Sequence, residues 1–263
     1  MQQIPESRKP MMETSHFDIP RYLSALPLFQ EMAPAELQRL AEGCRLRRFG
    51  RGDSVFRVGM PCEEFHVTVV GQIKLFALSP AGQEKVIELA GPGVSFAEAL
   101  MFTDKPYIIN AQALTDTLLL SVGKHAVVRE VESEPRFALR MLAGISRRLH
   151  GLVHDVQAYA LSSGMDRVIS YLLNDLPEEA APATAGTAPG GSPGRAASAP
   201  LPPAPPRCVS LPVSKATLAS RLSLTPEYFS RVLHDLEAKG LIQIDNRDIH
   251  ILDATGLAQH TVH

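Results

Sequence analysis

The chain has 263 residues, of which 45% are hydrophobic and 21% charged, with a formal net charge of -2. That length suits one or two domains with real cores and excludes disorder throughout, while the charge balance leaves no whole-chain positive field, so any nucleic-acid contact must be local. Apolar runs of a few residues, far short of the roughly 20 that span a bilayer, the absence of a secretory signal pattern in residues 1–20, and three scattered cysteines without a C-x-x-C pair predict a cytoplasmic protein with no membrane contact, carrying free thiols at Cys44, Cys62 and Cys208.

Residues 1–20 read as a loose leader, in which Met11-Met12 offers a second translation start. Tyr22 to Arg47 reads as helix, because Leu37, Leu40 and Ala41 repeat at helical spacing and Pro34 stands where a helix start tolerates it. From Phe49 to Val122, alternation at Phe65, Val67 and Val69, and again at Ile73 and Leu75, is punctuated by glycines. That texture predicts many short strands with tight turns, an antiparallel roll filling a sensory domain over 21–132.

The pattern turns helical at Pro135. Ala138, Leu142, Ile145, Leu149, Leu152, Val156 and Tyr159 step alternately by four and three, the 3.5-residue period of a coiled-coil seam. This predicts a dimerisation helix over 133–162, followed by a second helix over 163–176. Residues 177–207 hold 9 Pro, 9 Ala and 4 Gly and no aromatic, the composition of a flexible linker or insertion.

The last domain is read over 208–263, with no signal in the tail from Ala254. Ser214 can cap a short helix running to Leu222, and Thr225-Pro226-Glu227 opens a second, in which Phe229, Val232, Leu233 and Leu236 take core positions and Gly240 supplies the stop. Strands at 241–244 and 249–252 around Asp245-Asn246-Arg247 complete a winged helix-turn-helix, which presents the N-terminal half of its second helix to the major groove of double-stranded DNA. Glu227, Ser230, Arg231 and His234 occupy the outer face of that helix. Arg231 suits guanine O6/N7 and Glu227 suits cytosine N4, with Ser230 beside them as a third base-contact candidate. Ser214, Lys215 and Thr225 lie at helix starts, where backbone N-H groups favour phosphate.

Leu218-Ala219-x-x-Leu222-x-Leu224-Thr225-x-Glu227-x-x-Ser230-Arg231, with Lys239-Gly240-Leu241-Ile242, resembles the DNA-binding region of the Crp/Fnr transcription regulators. Gly52-Asp53, Gly59, Gly71-x-x-Lys74, Gly82-x-Glu84 and Gly93-x-x-Phe96-x-Glu98 resemble the glycine spacing of that family's cyclic-nucleotide-binding-like roll. Ser79-Pro80-x-Gly82-Gln83-Glu84-Lys85 and Phe96-Ala97-Glu98-Ala99-x-Met101-Phe102 are similar to the Dnr branch, the dissimilative nitrate respiration regulators.

The resemblance implies an α+β fold with a β-roll, a dimerisation helix and a winged helix, and a homodimeric activator rather than an enzyme. It implies partners in double-stranded DNA, through a TTGAT-N4-ATCAA-like palindrome, and in RNA polymerase. Cyclic-AMP-binding members follow a Pro with a phosphate-pairing arginine, whereas Pro106 here precedes Tyr107-Ile108-Ile109, which predicts no cyclic AMP. Residues 1–43 hold no cysteine, which predicts no iron-sulfur cluster. The branch that remains implies haem and nitric oxide, bound in an apolar pocket between roll and helix, with Phe96, Glu98, Tyr107 and Ile109 as effector-pocket candidates. His16, His66, His125, His150 and His154 are candidate axial ligands with nothing to choose between them. A regulator responding to another small effector, or to redox state without haem, is the alternative. A metal-dependent cupin is disfavoured because no His-x-His occurs.

Overall fold

The computed structural model describes residues 17–174 and 207–260. The chain divides into two compact units, one ending at Val156 and the other beginning at Gln157. The predicted leader lies outside the description up to residue 16, and the predicted linker does so over 175–206.

The first unit opens with two short helices, α1 (Ile19–Ser24) and α2 (Pro34–Glu42). Asp18 caps α1 by accepting from the Arg21 N-H, so this helix begins within the range predicted for the leader. The single helix expected from Tyr22 to Arg47 is instead two helices joined by turns, and Cys44–Phe49 is strand β1. The helical spacing was confined to Leu37–Ala41, and β1 pairs along its whole length with a distant strand, a tertiary override of local pattern.

Eight strands build the roll: β1, β2 (Ser54–Phe56), β3 (Glu64–Val70), β4 (Ile73–Leu78), β5 (Glu84–Ala90), β6 (Ser95–Phe96), β7 (Asn110–Ala113) and β8 (Thr117–Gly123). They form two antiparallel four-stranded sheets, ordered β1-β8-β3-β6 and β2-β7-β4-β5. Strand β3 is central and buried from Glu64 through Thr68, on both faces. The tight β3–β4 turn needs glycine: Gly71 has φ 93°, and a Cβ there would lie 2.4 Å from the Thr117 hydroxyl.

A 3-10 turn (Glu98–Phe102) follows β6, and α3 (Lys124–Ser133), for which the sequence pattern gave no expectation, follows β8. Glu130 of α3 is fully buried and accepts two hydrogen bonds from Arg39 of α2. Helix α4 (Pro135–Leu161) is unbroken over 27 residues. Its first turns pack on the roll: Phe137 and Met141 are buried, Phe137 stacks on Phe29 at 6.1 Å, and Gly144 lets Leu28 approach to 3.3 Å of where a Cβ would stand. Gly151, one heptad later, would place a Cβ in open space.

The second unit contains the end of α4, then α5 (Gly164–Asn174), β9 (Arg207–Ser210), α6 (Lys215–Arg221), α7 (Pro226–Ala238), β10 (Ile242–Asp245), β11 (Asp248–Ile251) and α8 (Ala254–His260). Two elements go beyond expectation. Arg207, assigned to the linker, starts β9, which pairs with β11 and gives a three-stranded sheet ordered β10-β11-β9. The tail, which carried no periodic signal, forms α8 by burying Leu257. No described helix is long and apolar enough to cross a membrane.

Candidate functional site

Helix α7 starts where its local chemistry dictates. Thr225 is the N-cap, its hydroxyl accepting from the Tyr228 N-H at 3.2 Å, and Pro226 follows where its missing N-H is harmless. Ser214 caps α6 in the same way, accepting from the Thr217 N-H at 3.2 Å. Between them Ser223 takes φ 57°, and the Leu224 N-H returns to the Ala219 carbonyl. Phe229, Val232, Leu233 and Leu236 are all buried, which turns Glu227, Arg231 and His234 to solvent and leaves Ser230 half-buried beside them. Ser214 and Thr225 are exposed, and Lys215 is half-exposed at the first position of α6. A short basic-acidic-hydroxyl face thus stands at the start of a sharply capped helix, with the β10–β11 hairpin turning at Asn246 (φ 54°) as its wing.

The predicted seam positions of α4 divide. Leu142, Leu149, Leu152 and Val156 are exposed, from 39% to 64%, whereas Ala138 and Ile145 are half-buried. Tyr159, the last of the predicted seam positions, is half-buried: its hydroxyl donates to the Arg221 carbonyl at 2.6 Å, Arg221 donates back to it, and Arg167 lies over its ring at 5.9 Å. A phenol finds hydrogen-bond and cation-π partners inside its own unit, so Tyr159 is an intramolecular anchor.

In the first unit, a cavity of about 210 Å³ lies between the segment Leu26–Phe29, strand β3, the run Gly93–Ser95 with Glu98, and α4 at Met141, Gly144, Arg147 and Arg148. One wall is apolar. The other is charged: Arg148 donates to both carboxylate oxygens of Glu88 at 2.6 Å, to Glu98 at 2.6 Å and to the Ser95 carbonyl at 2.6 Å. Burial works against the charge on Arg148, and the carboxylates of Glu98 and Glu88 outweigh it, so its pKa is raised. Glu98 follows Ala97, a non-glycine residue in the left-handed region at φ 69°.

Of the four predicted pocket residues, only Glu98 lines this cavity. Phe96 is fully buried in the roll core, and Tyr107 is buried with its ring stacked on Phe56 at 3.7 Å and its hydroxyl donating to the Glu64 carbonyl at 2.8 Å. Ile109 packs against the same core. The predicted pocket was to be apolar, and ion pairing makes the α4 side polar instead. Arg148, absent from the predicted site, is 60 residues from Glu88 and 50 from Glu98, and no local pattern signals so distant a pairing.

No histidine lines the cavity. His66 is buried between the rings of Phe56 and Phe96 (5.8 and 5.2 Å), with Nδ1 2.9 Å from the Ser121 hydroxyl. His125, His150 and His154 are exposed, and His16 lies outside the described residues. Among the described residues no three His, Cys, Asp or Glu side chains are grouped to hold a metal ion. With a volume below the roughly 300–1,000 Å³ of ordinary ligand pockets, the cavity in this conformation does not fit haem. The cysteines are free thiols, Cys44 and Cys62 buried and Cys208 exposed.

Two family models match: a cyclic nucleotide-binding domain over residues 46–134 and a Crp-like helix-turn-helix domain over 166–260. DNR from Pseudomonas aeruginosa is 33% identical, with 91% of this chain and 96% of that one covered and a TM-score of 0.46. The chain belongs to the Crp/Fnr family. A cAMP-activated global transcriptional regulator of Mycobacterium tuberculosis is 22% identical over 237 residues, 90% of this chain and 97% of that protein. FixK2 from Bradyrhizobium japonicum, 17% identical, superposes with a TM-score of 0.67 over 84% of this chain and 98% of that one, which shows the shared α+β architecture. This Crp/Fnr chain is accordingly a DNA-binding transcriptional regulator, with a cyclic nucleotide-binding domain preceding its helix-turn-helix.

Proposed function

We propose that this regulator is a cytoplasmic homodimeric activator, not an enzyme, that reads a TTGAT-N4-ATCAA-like palindrome, engages RNA polymerase and turns on denitrification or nitrogen-oxide response genes in response to nitric oxide. The observation that carries DNA reading is α7, which holds Glu227, Ser230 and Arg231 on the outward face of its first turns, with Ser214, Lys215 and Thr225 at the helix starts for phosphate. Pairing through α4 is supported by the row of exposed Leu142, Leu149, Leu152 and Val156, which an isolated protomer leaves in water.

Nitric oxide, and haem as the group that takes it up, rest on the resemblance to the Dnr branch and on the 33% identity to DNR. The cAMP reading suggested by the Mycobacterium relative's name is disfavoured, because Tyr107 stands after Pro106 and is itself buried, while the arginine beside Glu98 is already held by two carboxylates. A second reading, a small effector other than haem or a redox signal, is favoured by a cavity without histidine.

Fluorescence anisotropy on a labelled palindromic duplex at fixed salt tests the proposal. Tightening by haemin with nitric oxide, and none by cyclic AMP, is expected. Tightening by cyclic AMP would overturn the nitric-oxide reading, and indifference to both would favour the second one.

A further inference from the structure

We infer that Tyr228 is a positioning residue for DNA reading: its ring, seated in a notch that Gly164 leaves at the start of α5, sets the attitude in which the first turn of α7 offers Glu227 and Arg231 to base edges. The inference deepens the proposed function and rests on its DNA-reading part.

The notch is built by a missing side chain. A Cβ added to Gly164 would lie 2.5 Å from Cε1 of the Tyr228 ring and 2.9 Å from Cδ2 of Leu224, so glycine is what leaves room for both. Its floor is held by a capping box. The Ser163 hydroxyl accepts from the Asp166 N-H at 3.1 Å, and the Asp166 carboxylate accepts from the Ser163 N-H at 2.9 Å, which fixes where α5 begins.

The turn that needs holding is the one that carries Glu227. The buried positions of α7 are Phe229, Val232, Leu233 and Leu236, all beyond that turn, while Thr225, Pro226 and Glu227 are exposed. Core packing therefore does not seat the start of the helix directly. Tyr228, 37% exposed, follows Glu227 in sequence and stands three residues before Arg231, a spacing that makes the two side chains neighbours on the helix surface. A ring wedged against α5 at this point fixes the rotation of the first turn, and with it the direction of both reading side chains.

The turn before the helix is gripped from the same place. Ser223 takes the left-handed φ of 57°, a conformation that persists only where its surroundings impose it. Arg167 of α5 donates to the Ser223 carbonyl at 3.4 Å and to the Ser162 carbonyl at 2.8 Å. Thus α5 touches the helix-turn-helix on both sides of the Thr225 cap, at Ser223 and Leu224 before it and at Tyr228 after it.

Both atoms that an added Cβ would meet are ends of side chains that can swing aside, so Gly164→Ala unseats the ring while the domain still folds. Fluorescence anisotropy at fixed salt tests the seat with full-length protein, on the palindromic duplex and on a copy with the guanine of each half-site replaced. Tyr228→Ala and Gly164→Ala should each lower the ratio of cognate to substituted affinity by about fivefold or more, the lower end of what one base contact contributes to discrimination, with binding to the substituted duplex hardly changed. Tyr228→Phe keeps the ring and should keep the ratio. The Gly164→Ala, Tyr228→Ala pair should be no worse than Tyr228→Ala alone, since without the ring Leu224 has room to shift.

Additive losses in the pair, equal losses on the two duplexes, or a Tyr228→Phe protein that behaves like Tyr228→Ala would each overturn the inference. Amide exchange across residues 225–232 without DNA reads the seat independently, and should quicken in both single variants and no further in the pair. A parent that does not distinguish the duplexes would refute the DNA-reading proposal instead. Exchange would then decide the seat, and an unchanged rate in Tyr228→Ala would remove it.

Discussion

His66 is the most deeply committed titratable side chain of the roll. It is 1% exposed, and burial, opposed by Glu64 and reinforced by Arg47, pushes its pKa down from 6.5 to about 4. In the unfolded chain the imidazole takes up a proton near pH 6.5, whereas the folded one stays neutral, so folding becomes less favourable as pH falls between those values. The full loss is about 3 kcal/mol, complete below pH 4 and absent above pH 7. Thermal unfolding of the sensory unit in the intact protein should therefore show a melting temperature that declines from pH 7 to pH 4.5, with a flatter decline in His66→Phe. Equal slopes in the two proteins would mean that other groups govern acid sensitivity. At the proposed DNA face the residues are expected to separate by role. Arg231→Ala should weaken cognate binding by about 1–3 kcal/mol per half-site and relax discrimination at one guanine, whereas Lys215→Ala should weaken cognate and scrambled duplexes alike and lower the salt slope. Equal losses on both duplexes for Arg231→Ala would contradict the base-reading role.

Helix α4 shows how one element can be legible in outline and opaque in detail. Its start and length follow from Pro135 and the 4-3 spacing, and the exposed leucines sit where that spacing puts them. If the row is the dimer seam, Ile145→Glu with Leu149→Glu buries unpaired carboxylates between helices, at a cost of several kcal/mol. Sedimentation should then show monomers where the parent gives dimers; a parent monomer, or a dimer that survives both changes, would remove the seam. Two of the helix's functions were not readable from spacing. Tyr159 fits the 3.5-residue period, but its hydroxyl found a carbonyl in its own unit. Arg148 carries no local signal, because the carboxylates it pairs with arrive from a 3-10 turn 50 residues away and a strand 60 residues away. By contrast α7 was legible almost to the residue, since Thr225, Pro226 and the buried positions every three or four residues act within one or two turns. The strands β1 and β9 fared worst: they exist through their distant partners β8 and β11, and nothing in Cys44–Phe49 or Arg207–Ser210 alternates clearly enough to announce them.

For the molecule as a whole, the residues that surround the cavity and those proposed to face DNA belong to different compact units, and α4 contributes residues to both. Twenty-seven residues of continuous helix make a rod about 40 Å long. Such a rod has no slack. A hinge answers a push by bending, but an intact helix passes on torsion, so a few degrees of rotation at Arg148 must reappear at Gln157 unless the hydrogen-bond ladder between them yields. Gly151 stands in that interval, and a Cβ added there would meet nothing beyond the helix's own backbone, so a substitution there disturbs the ladder and no neighbouring element. Gly151→Pro removes a helical N-H and crowds the carbonyl four residues before it. Both units should still melt as folded bodies and α7 should keep its caps, yet DNA affinity should cease to respond to haemin with nitric oxide. A response of undiminished size in that background would mean the signal does not travel as twist. As a driveshaft, α4 delivers at Gln157 only as much twist as its hydrogen-bond ladder can hold.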